Sequence, residues 1–310
     1  MKKLLTAILG AAMLFAAAGS AFAAGKVIGL ALASDTNPFY IAMRKGVTIR
    51  AKQLGWKVRI VVANEDVNKQ VNGVQDLVAQ KVDGILISPI DRIATGAAYE
   101  AAHKAKIPII SIARGAKSKY QTLHVAMDEV RIGKDIAAWI AKKTGGRGKV
   151  AMIAGPAGSG TFRNLANGFQ NEIKKNPCMR VVFKRTVPLT REEGLKQTED
   201  ILVSHPDVRA IYGANDELAL GAAQVVGATG KKGGIIITGM NGVPPALAAV
   251  AKGRMDMTVV LNPVAWGILG VNVMDRYLKG ERPKQKVFIK HVLATKSNAL
   301  KYIPPKRKKK

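Results

Sequence analysis

The chain has 310 residues, 48% of them hydrophobic, and carries 49 Lys and Arg against 21 Asp and Glu, a formal net charge of +28. Its single cysteine, Cys178, excludes an intramolecular disulfide, so stability must come from buried apolar cores. The basic residues are scattered instead of clustering with aromatics, which argues against a nucleic-acid partner. A solvated basic surface is the first reading of that charge, and weak attraction to anionic membrane headgroups is the second.

At the amino end, Lys2 and Lys3 precede an apolar run from Leu4 to Ala18, and Ala21-Phe22-Ala23 supplies the small-x-small pattern read by signal peptidase. The run is shorter than the ~20 residues a spanning helix needs. The expectation is a signal peptide over 1–23, cleavage after Ala23 and delivery to the periplasm. At the other end Pro304-Pro305 cannot continue a helix, and five cationic residues follow. Residues 304–310 are expected to form a disordered basic tail.

Between these ends, Val- and Ile-rich runs at 27–33, 58–62, 84–87, 107–111 and 123–125 predict strands. Helix-length segments near 37–54, 68–80, 92–105 and 129–144 separate them. Within 68–80, Val71, Val74, Leu77 and Val78 recur three or four residues apart or side by side, and so share one helical face. The pattern then restarts, with strands at 149–153, 181–186, 210–212, 235–238 and 257–261 and helices near 160–175, 191–204, 216–227 and 243–252. A helix near 263–280 and a strand over 286–292 close the chain. Near-continuous apolar strands alternating with amphipathic helices predict an α/β fold with parallel sheets covered on both faces. There are too many units for one compact sheet, so two doubly wound lobes are expected. Ligands bind such sheets outside the carboxyl ends of the strands, and two lobes facing each other there would build a cleft.

The first loop, Ser34 to Tyr40, lies at such a carboxyl end, where Asn37 is placed to cap the helix that Pro38 opens. Phe39 and Tyr40 follow as consecutive aromatics, serving either the core or a platform for the apolar face of a ligand. The run Gly155-Pro156-Ala157-Gly158-Ser159-Gly160-Thr161 has the glycine spacing of a phosphate loop, but Thr161 stands where the lysine should be. Nucleotide hydrolysis is therefore not expected, and the run reads as a strand-to-helix turn with open amides. His103, His124, His205 and His291 are isolated, which argues against a metal site, and no cofactor is expected. No G-x-S-x-G elbow or nucleophile–base pairing is visible, so the chain is not expected to be an enzyme.

The segments Thr36-Asn37-Pro38-Phe39-Tyr40, Val74-Gln75-Asp76-Leu77-Val78, Gly84-Ile85-Leu86-Ile87-Ser88-Pro89, Ile107-Pro108-Ile109-Ile110 and Asn215-Asp216-Glu217-Leu218-Ala219-Leu220-Gly221 stand in an order and spacing that resemble the ribose-type periplasmic sugar-binding proteins. The resemblance covers essentially all of the chain after the signal segment. It implies two Rossmann-like, doubly wound lobes joined by a three-crossover hinge, with crossovers near Met127–Asp128, Leu261–Asn262 and Lys290–His291. The lobes would be 24–127 with 262–290, and 128–261 with 291–303. It also implies hinge closure over a sugar-like solute, a monomer, an ABC permease in the inner membrane as partner, and sometimes a chemoreceptor. A ligand-sensing partner of a chemoreceptor or histidine kinase, without transport, is the alternative.

Carried over by position, Asn37, Phe39 and Tyr40 match the contacts of one lobe. Arg114 matches an arginine that forks onto ligand hydroxyls, and Asn215 matches a hydrogen-bonding asparagine of the other lobe. Other positions depart from the ribose-type pattern. An aspartate becomes Ala113, an aromatic becomes Leu189, another aspartate becomes Asn241, and a hinge glutamine becomes Leu261. Leu165 takes the place of an arginine, with Arg163 two residues earlier as a candidate substitute. Asp35 is a possible replacement acid, or an ordinary loop cap. Each lost charge-assisted hydrogen bond is worth about 1.5–3 kcal/mol, so ribose itself is not expected to be the main ligand. The expected site residues are thus Asp35, Asn37, Phe39, Tyr40, Arg114, Arg163, Asn215 and Asn241.

Overall fold

The computed structural model describes residues 25–303. The expected signal segment and basic tail lie outside the described residues. The first lobe starts with β1 (Val27–Leu32), α1 (Pro38–Gln53), β2 (Lys57–Val62), α2 (Val67–Ala79) and β3 (Gly84–Ile87). It continues through α3 (Gly96–Lys104), β4 (Ile109–Ala113) and β5 (Leu123–Ala126). The second lobe follows as α4 (Glu129–Thr144), β6 (Arg147–Ala154), α5 (Gly160–Ile173), β7 (Cys178–Thr186), α6 (Arg191–Ser204) and β8 (Val208–Gly213). Then come α7 (Asp216–Ala228), β9 (Ile236–Asn241), α8 (Pro244–Ala251) and β10 (Met257–Val260). The chain next returns to the first lobe with α9 (Pro263–Leu278) and β11 (Lys286–Phe288), and ends in the second with β12 (Val292–Thr295).

Each lobe holds a six-stranded sheet, in the orders β11-β5-β4-β3-β1-β2 and β12-β10-β9-β8-β6-β7. All pairings are parallel except β12, which runs antiparallel to β10. The orders 2-1-3-4-5 and 7-6-8-9-10 are the same winding used twice, and both place the carboxyl strand ends toward the other lobe.

Side-chain alternation along β1 explains how the sheet is covered. Ile28, Leu30 and Leu32 join the core that includes Met43 and Val47 of α1 and Trp266 of α9. Ala31 points the other way, into the cluster with Val74, Leu77 and Tyr99 of α2 and α3. Helix pairs approach so closely that glycine is required at the crossing. A Cβ on Gly46 would strike the Val264 carbonyl and one on Gly267 the Met43 carbonyl, between α1 and α9. The second lobe repeats this device between α4 and α5, with Gly133 against the Leu165 carbonyl and Gly168 against that of Val130.

Two expected elements are corrected. The strand expected over 286–292 is two strands, one added to each sheet, because the third passage between lobes falls inside the run. The helix expected from 92 begins at Gly96. Asp91 Oδ1 instead accepts the Ile93 and Ala94 amides at 2.7 and 2.8 Å, holding that stretch as a turn. Among the described residues no helix is long and apolar enough to cross a membrane.

Candidate functional site

The site is built from the loops that leave the carboxyl ends of the strands. After β1, the Ser34 hydroxyl accepts the Thr36 and Asn37 amides at 3.2 Å each. Asn37 Oδ1 then accepts the Phe39 amide at 3.0 Å, capping α1. This turn drives Phe39 and Tyr40 inward, where they are buried with their rings edge to face at 5.3 Å. Phe39 also meets Trp266 edge-on at 6.3 Å. These aromatics are core residues, and they also wall a cavity. Burial pushes the Tyr40 phenol up, with Arg114 acting in the other direction.

After β4 the backbone turns through Ala113 in the left-handed region, at φ 65°. His124 on β5 lies 3.2 Å from the Ala113 carbonyl through Nε2. Burial pushes that imidazole down to about 4, which the carbonyl only partly offsets, so it is neutral and Nε2 carries the donated proton. The turn delivers Arg114, 4% exposed, into the space between the lobes. Its guanidinium lies 5.6 Å from the Tyr40 ring centre and 5.4 Å from that of Phe162, on the opposite lobe. Two of its N–H groups fork onto Glu65, at 3.0 and 3.2 Å. Burial works against the charge on Arg114, but Tyr40 and Glu65 together more than offset it and raise its pKa.

In the second lobe the glycine-rich run after β6 packs closely against neighbouring side chains. Gly155 makes room for the Phe162 ring, and Gly158 and Gly160 lie against Asp91 and Arg92 of the first lobe. The Arg92 amide donates to the Gly158 carbonyl at 3.3 Å, a direct bond between lobes. Asn215 is 1% exposed and committed to structure: Oδ1 accepts the Leu218 amide at 2.9 Å and Nδ2 donates to the Leu189 carbonyl at 3.2 Å. Asn241 ends β9 at φ 130°, followed by Gly242 at φ 68°. Behind this turn the buried Asp216 accepts the Val243 amide at 2.8 Å and the Thr258 hydroxyl at 2.5 Å. Burial pushes Asp216 up to about 7, against the pull of those hydrogen bonds.

Asn37, Phe39, Tyr40, Arg114, Asn215 and Asn241 thus converge on one cavity of about 30 Å³ between the lobes, with Thr161, Phe162, Leu189 and Met240 completing its far wall. A chamber of about 880 Å³ opens beside it and shares Asn37 and Leu189 with it. Asp35 and Arg163 are not brought to the cavity. Asp35 is exposed, and Arg163 is exposed with its guanidinium donating to the Ala157 carbonyl at 2.6 Å. Leu165 and Leu261 are buried elsewhere, at 1% exposure each.

Glu65 and Phe162 are the residues that sequence reasoning passes over. A weak signal existed for each: Glu65 is an acid at the carboxyl end of a strand, and Phe162 follows the glycine-rich turn. Among the described residues no cluster of three or more His, Cys, Asp or Glu could hold a metal ion.

Two wound lobes with a shared cavity at their strand ends are the architecture of solute capture, and a model described as the periplasmic binding protein domain matches residues 28–282. The chain belongs to the periplasmic binding protein family. The ribose import binding protein of Bacillus subtilis (strain 168) is 36% identical over 84% of both chains. The ribose import binding protein of Haemophilus influenzae is 34% identical over 93% of this chain and 97% of its own. Among solved structures, an ABC transporter solute-binding protein from Bacillus halodurans with bound myo-inositol superposes with a TM-score of 0.86. It is 26% identical, over 91% of this chain and 99% of that one. This periplasmic binding protein is therefore of type I and of the sugar-binding kind, as the resemblance implies. Its two α/β lobes are the fold expected from the repeated strand–helix order.

Proposed function

We propose that the chain is the solute-capturing component of an ABC importer. It would bind a sugar or sugar-like small molecule other than ribose between its lobes, and present the closed form to a permease in the inner membrane. The lobes 24–127 with 262–290 and 128–261 with 291–303 would move as rigid bodies about the three passages between sheets, in a monomer exported by its signal segment. The observation that carries this reading is the convergence of Arg114 of one lobe with Phe162 of the other over a single cavity. That cavity, at about 30 Å³, is far below the ~300–1,000 Å³ of ordinary ligand pockets. A solute can enter only if the lobes separate and reclose around it. Turning a mostly open population mostly closed requires about 5.5 kcal/mol of differential binding, which contacts from both lobes together can supply.

The residues standing in for the ribose-type pattern support a solute other than ribose. Ala113 and Leu189 put apolar surface on the cavity, and Asn241 replaces an acid there. A deoxy or smaller sugar, a polyol, or another neutral or anionic solute held by Arg114 suits such a wall. Isothermal calorimetry against pentoses, hexoses and polyols tests this: a panel member other than ribose should bind at least tenfold more tightly than ribose. Ribose as the tightest ligand would overturn the exclusion of ribose, and no binding at all would overturn the capture reading.

A further inference from the structure

The proposed reading leaves open whether the solute is neutral or anionic, since a buried arginine by itself invites an anion. Arg114 is not by itself. Its two terminal nitrogens each meet one Glu65 oxygen, at 3.0 and 3.2 Å, in the bidentate geometry that matches guanidinium to carboxylate. Arg114 is 4% exposed through its side chain and Glu65 39%, so the carboxylate closes the arginine off from the solvent side while the cavity lies on the inner side.

The backbone around Glu65 is unusual. Asn64 and Glu65 stand at φ 50° and 60°, consecutive left-handed residues neither of which is glycine. The Glu65 amide donates to the Ala33 carbonyl at 2.7 Å and the Asp66 amide to the Ala63 carbonyl at 3.1 Å, which hold this conformation. Strain of this kind persists where the surrounding structure enforces it, and here it aims Glu65 at Arg114.

A second observation points the same way. The molecule is strongly basic as a whole, yet the charged residues lining the outer chamber are Glu65, Glu192 and Glu217 against Arg191 alone. Arg191 is itself paired with Glu217, at 2.9 Å. An anionic solute approaching through this mouth meets a local excess of acid and then an arginine already neutralised.

We infer that Glu65 is a specificity-determining residue that restores the carboxylate missing at Ala113 and makes the cavity select neutral polyhydroxylated solutes over their carboxylate counterparts. The inference rests on the proposed solute-binding reading and narrows it. Arg114 keeps N–H groups to donate to hydroxyl oxygens, while Glu65 orients the guanidinium and cancels its charge. Solute carboxylates would have to displace Glu65 to gain a charge-assisted bond, and doing so would return a carboxylate to water without any net gain of ion pairs.

The test is calorimetry on the full mature chain with matched probes: D-ribose, xylitol and D-glucose beside D-ribonate, D-xylonate and D-glucuronate. Wild type should bind at least one neutral probe, with its carboxylate counterpart about 100-fold weaker or undetected. Glu65→Gln should shrink that ratio at least tenfold, by weakening the neutral probe, strengthening the acid, or both. Adding Ala113→Asp to Glu65→Gln should restore the neutral preference by supplying the carboxylate from the neighbouring turn.

If a neutral probe binds wild type and Glu65→Gln leaves both affinities within twofold, Glu65 has no such role and the capture reading survives. A wild type that prefers the carboxylates overturns the inference in the same way. Were none of the six probes to bind, while a wider neutral and anionic panel also failed, the capture reading and this inference would fall together. Glu65 is exposed enough for the Gln variant to fold, and Glu65→Asp, which keeps the charge but shortens its reach to Arg114, provides a second readout, with a neutral-to-acid ratio expected to fall below that of wild type.

Discussion

In the first lobe the loops after β2 and β4 bring Glu65 and Arg114 to the cleft, a carboxylate and a guanidinium 3.0 Å apart. In the second, the loops at the same places in the winding, after β7 and at the end of β9, bring Leu189 and Asn241. The turn after β1 gives Phe39 and Tyr40, while the corresponding turn after β6 gives Thr161 and Phe162. One topology used twice therefore fixes where side chains arrive but not what they are. The first lobe presents an ion pair and aromatic rings to the cleft, and the second presents amides, one ring and aliphatic surface. The polar groups of the second lobe are also spent differently, since Asn215 makes its hydrogen bonds to backbone groups, whereas Arg114 pairs with the Glu65 side chain.

The largest expected contrast between the lobes is in their response to pH. Asp216 of the second lobe has its pKa raised by burial to about 7. An acid so shifted stabilises the fold most when protonated, so that stability is full below the unfolded value near 4 and is lost as pH rises toward 7. The upper bound on this loss is about 4 kcal/mol. His124 of the first lobe is shifted the other way, down to about 4 by burial. It contributes stability that is full above the unfolded value near 6.5 and is lost as pH falls toward 4, with an upper bound of about 3 kcal/mol. These two groups should thus slope in opposite directions across the same window and partly cancel in the whole molecule. Urea unfolding followed by fluorine NMR of fluorotryptophan can separate them, because Trp139 lies on α4 while Trp266 lies on α9. Asp216→Asn should reduce the slope at Trp139, to which Glu129 of α4, its pKa also raised by burial, still contributes, and should leave that at Trp266. An unchanged slope at Trp139 would rule out Asp216 as its source.

The strand framework was legible in the sequence because its signals are local. The helices expected near 129–144 and 191–204 are α4 and α6, and Asp128 and Thr190 cap them in the structure, each accepting an amide three residues on. What was not legible depends on long-range geometry. The run over 286–292 has the composition of one strand, and only the passage between sheets divides it. Glu65 sits beside Asp66, the residue that caps α2, and reads as part of the same cap. Its partner is Arg114, distant along the chain, and its direction depends on a positive φ that sequence does not announce. Arg163 was expected at the cavity from its nearness to Leu165, but one helical turn has a definite face, and on α5 the cavity face belongs to Thr161 and Phe162.

The difference in how polar groups are spent gives the next prediction. Arg114→Ala should weaken solute binding roughly 10- to 150-fold, the range of a charge-assisted hydrogen bond, while leaving Glu65 able to turn to water. The melting temperature should shift little. Asn215→Ala should show the reverse balance, because it removes the cap of α7 and the bond to the Leu189 carbonyl. A stability loss of about 1 kcal/mol is expected, with the change in affinity following from the displaced Leu189 wall. Calorimetry beside thermal melts of both variants checks this. A large melting shift in Arg114→Ala with unchanged affinity would reverse the assignment of roles.

The smallest expected effect concerns the one ring by which the second lobe reaches the charge of the first. Phe162 stands 5.4 Å from the Arg114 guanidinium, and Tyr40 stands 5.6 Å from it. Tyr40 belongs to the same lobe as Arg114, so its contact is made whether the lobes are open or closed. On the proposed hinge closure, Phe162 would reach Arg114 only in the closed form, and its contribution would then enter the closing equilibrium directly. A cation–π contact of this kind is worth about 0.5–1 kcal/mol. Phe162→Leu keeps an apolar side chain over Gly155 but removes the aromatic face, so affinity should fall about two- to fivefold. The unliganded population should become more open by small-angle scattering. Loss of affinity without that opening would mean that Phe162 touches the solute and does not act through Arg114.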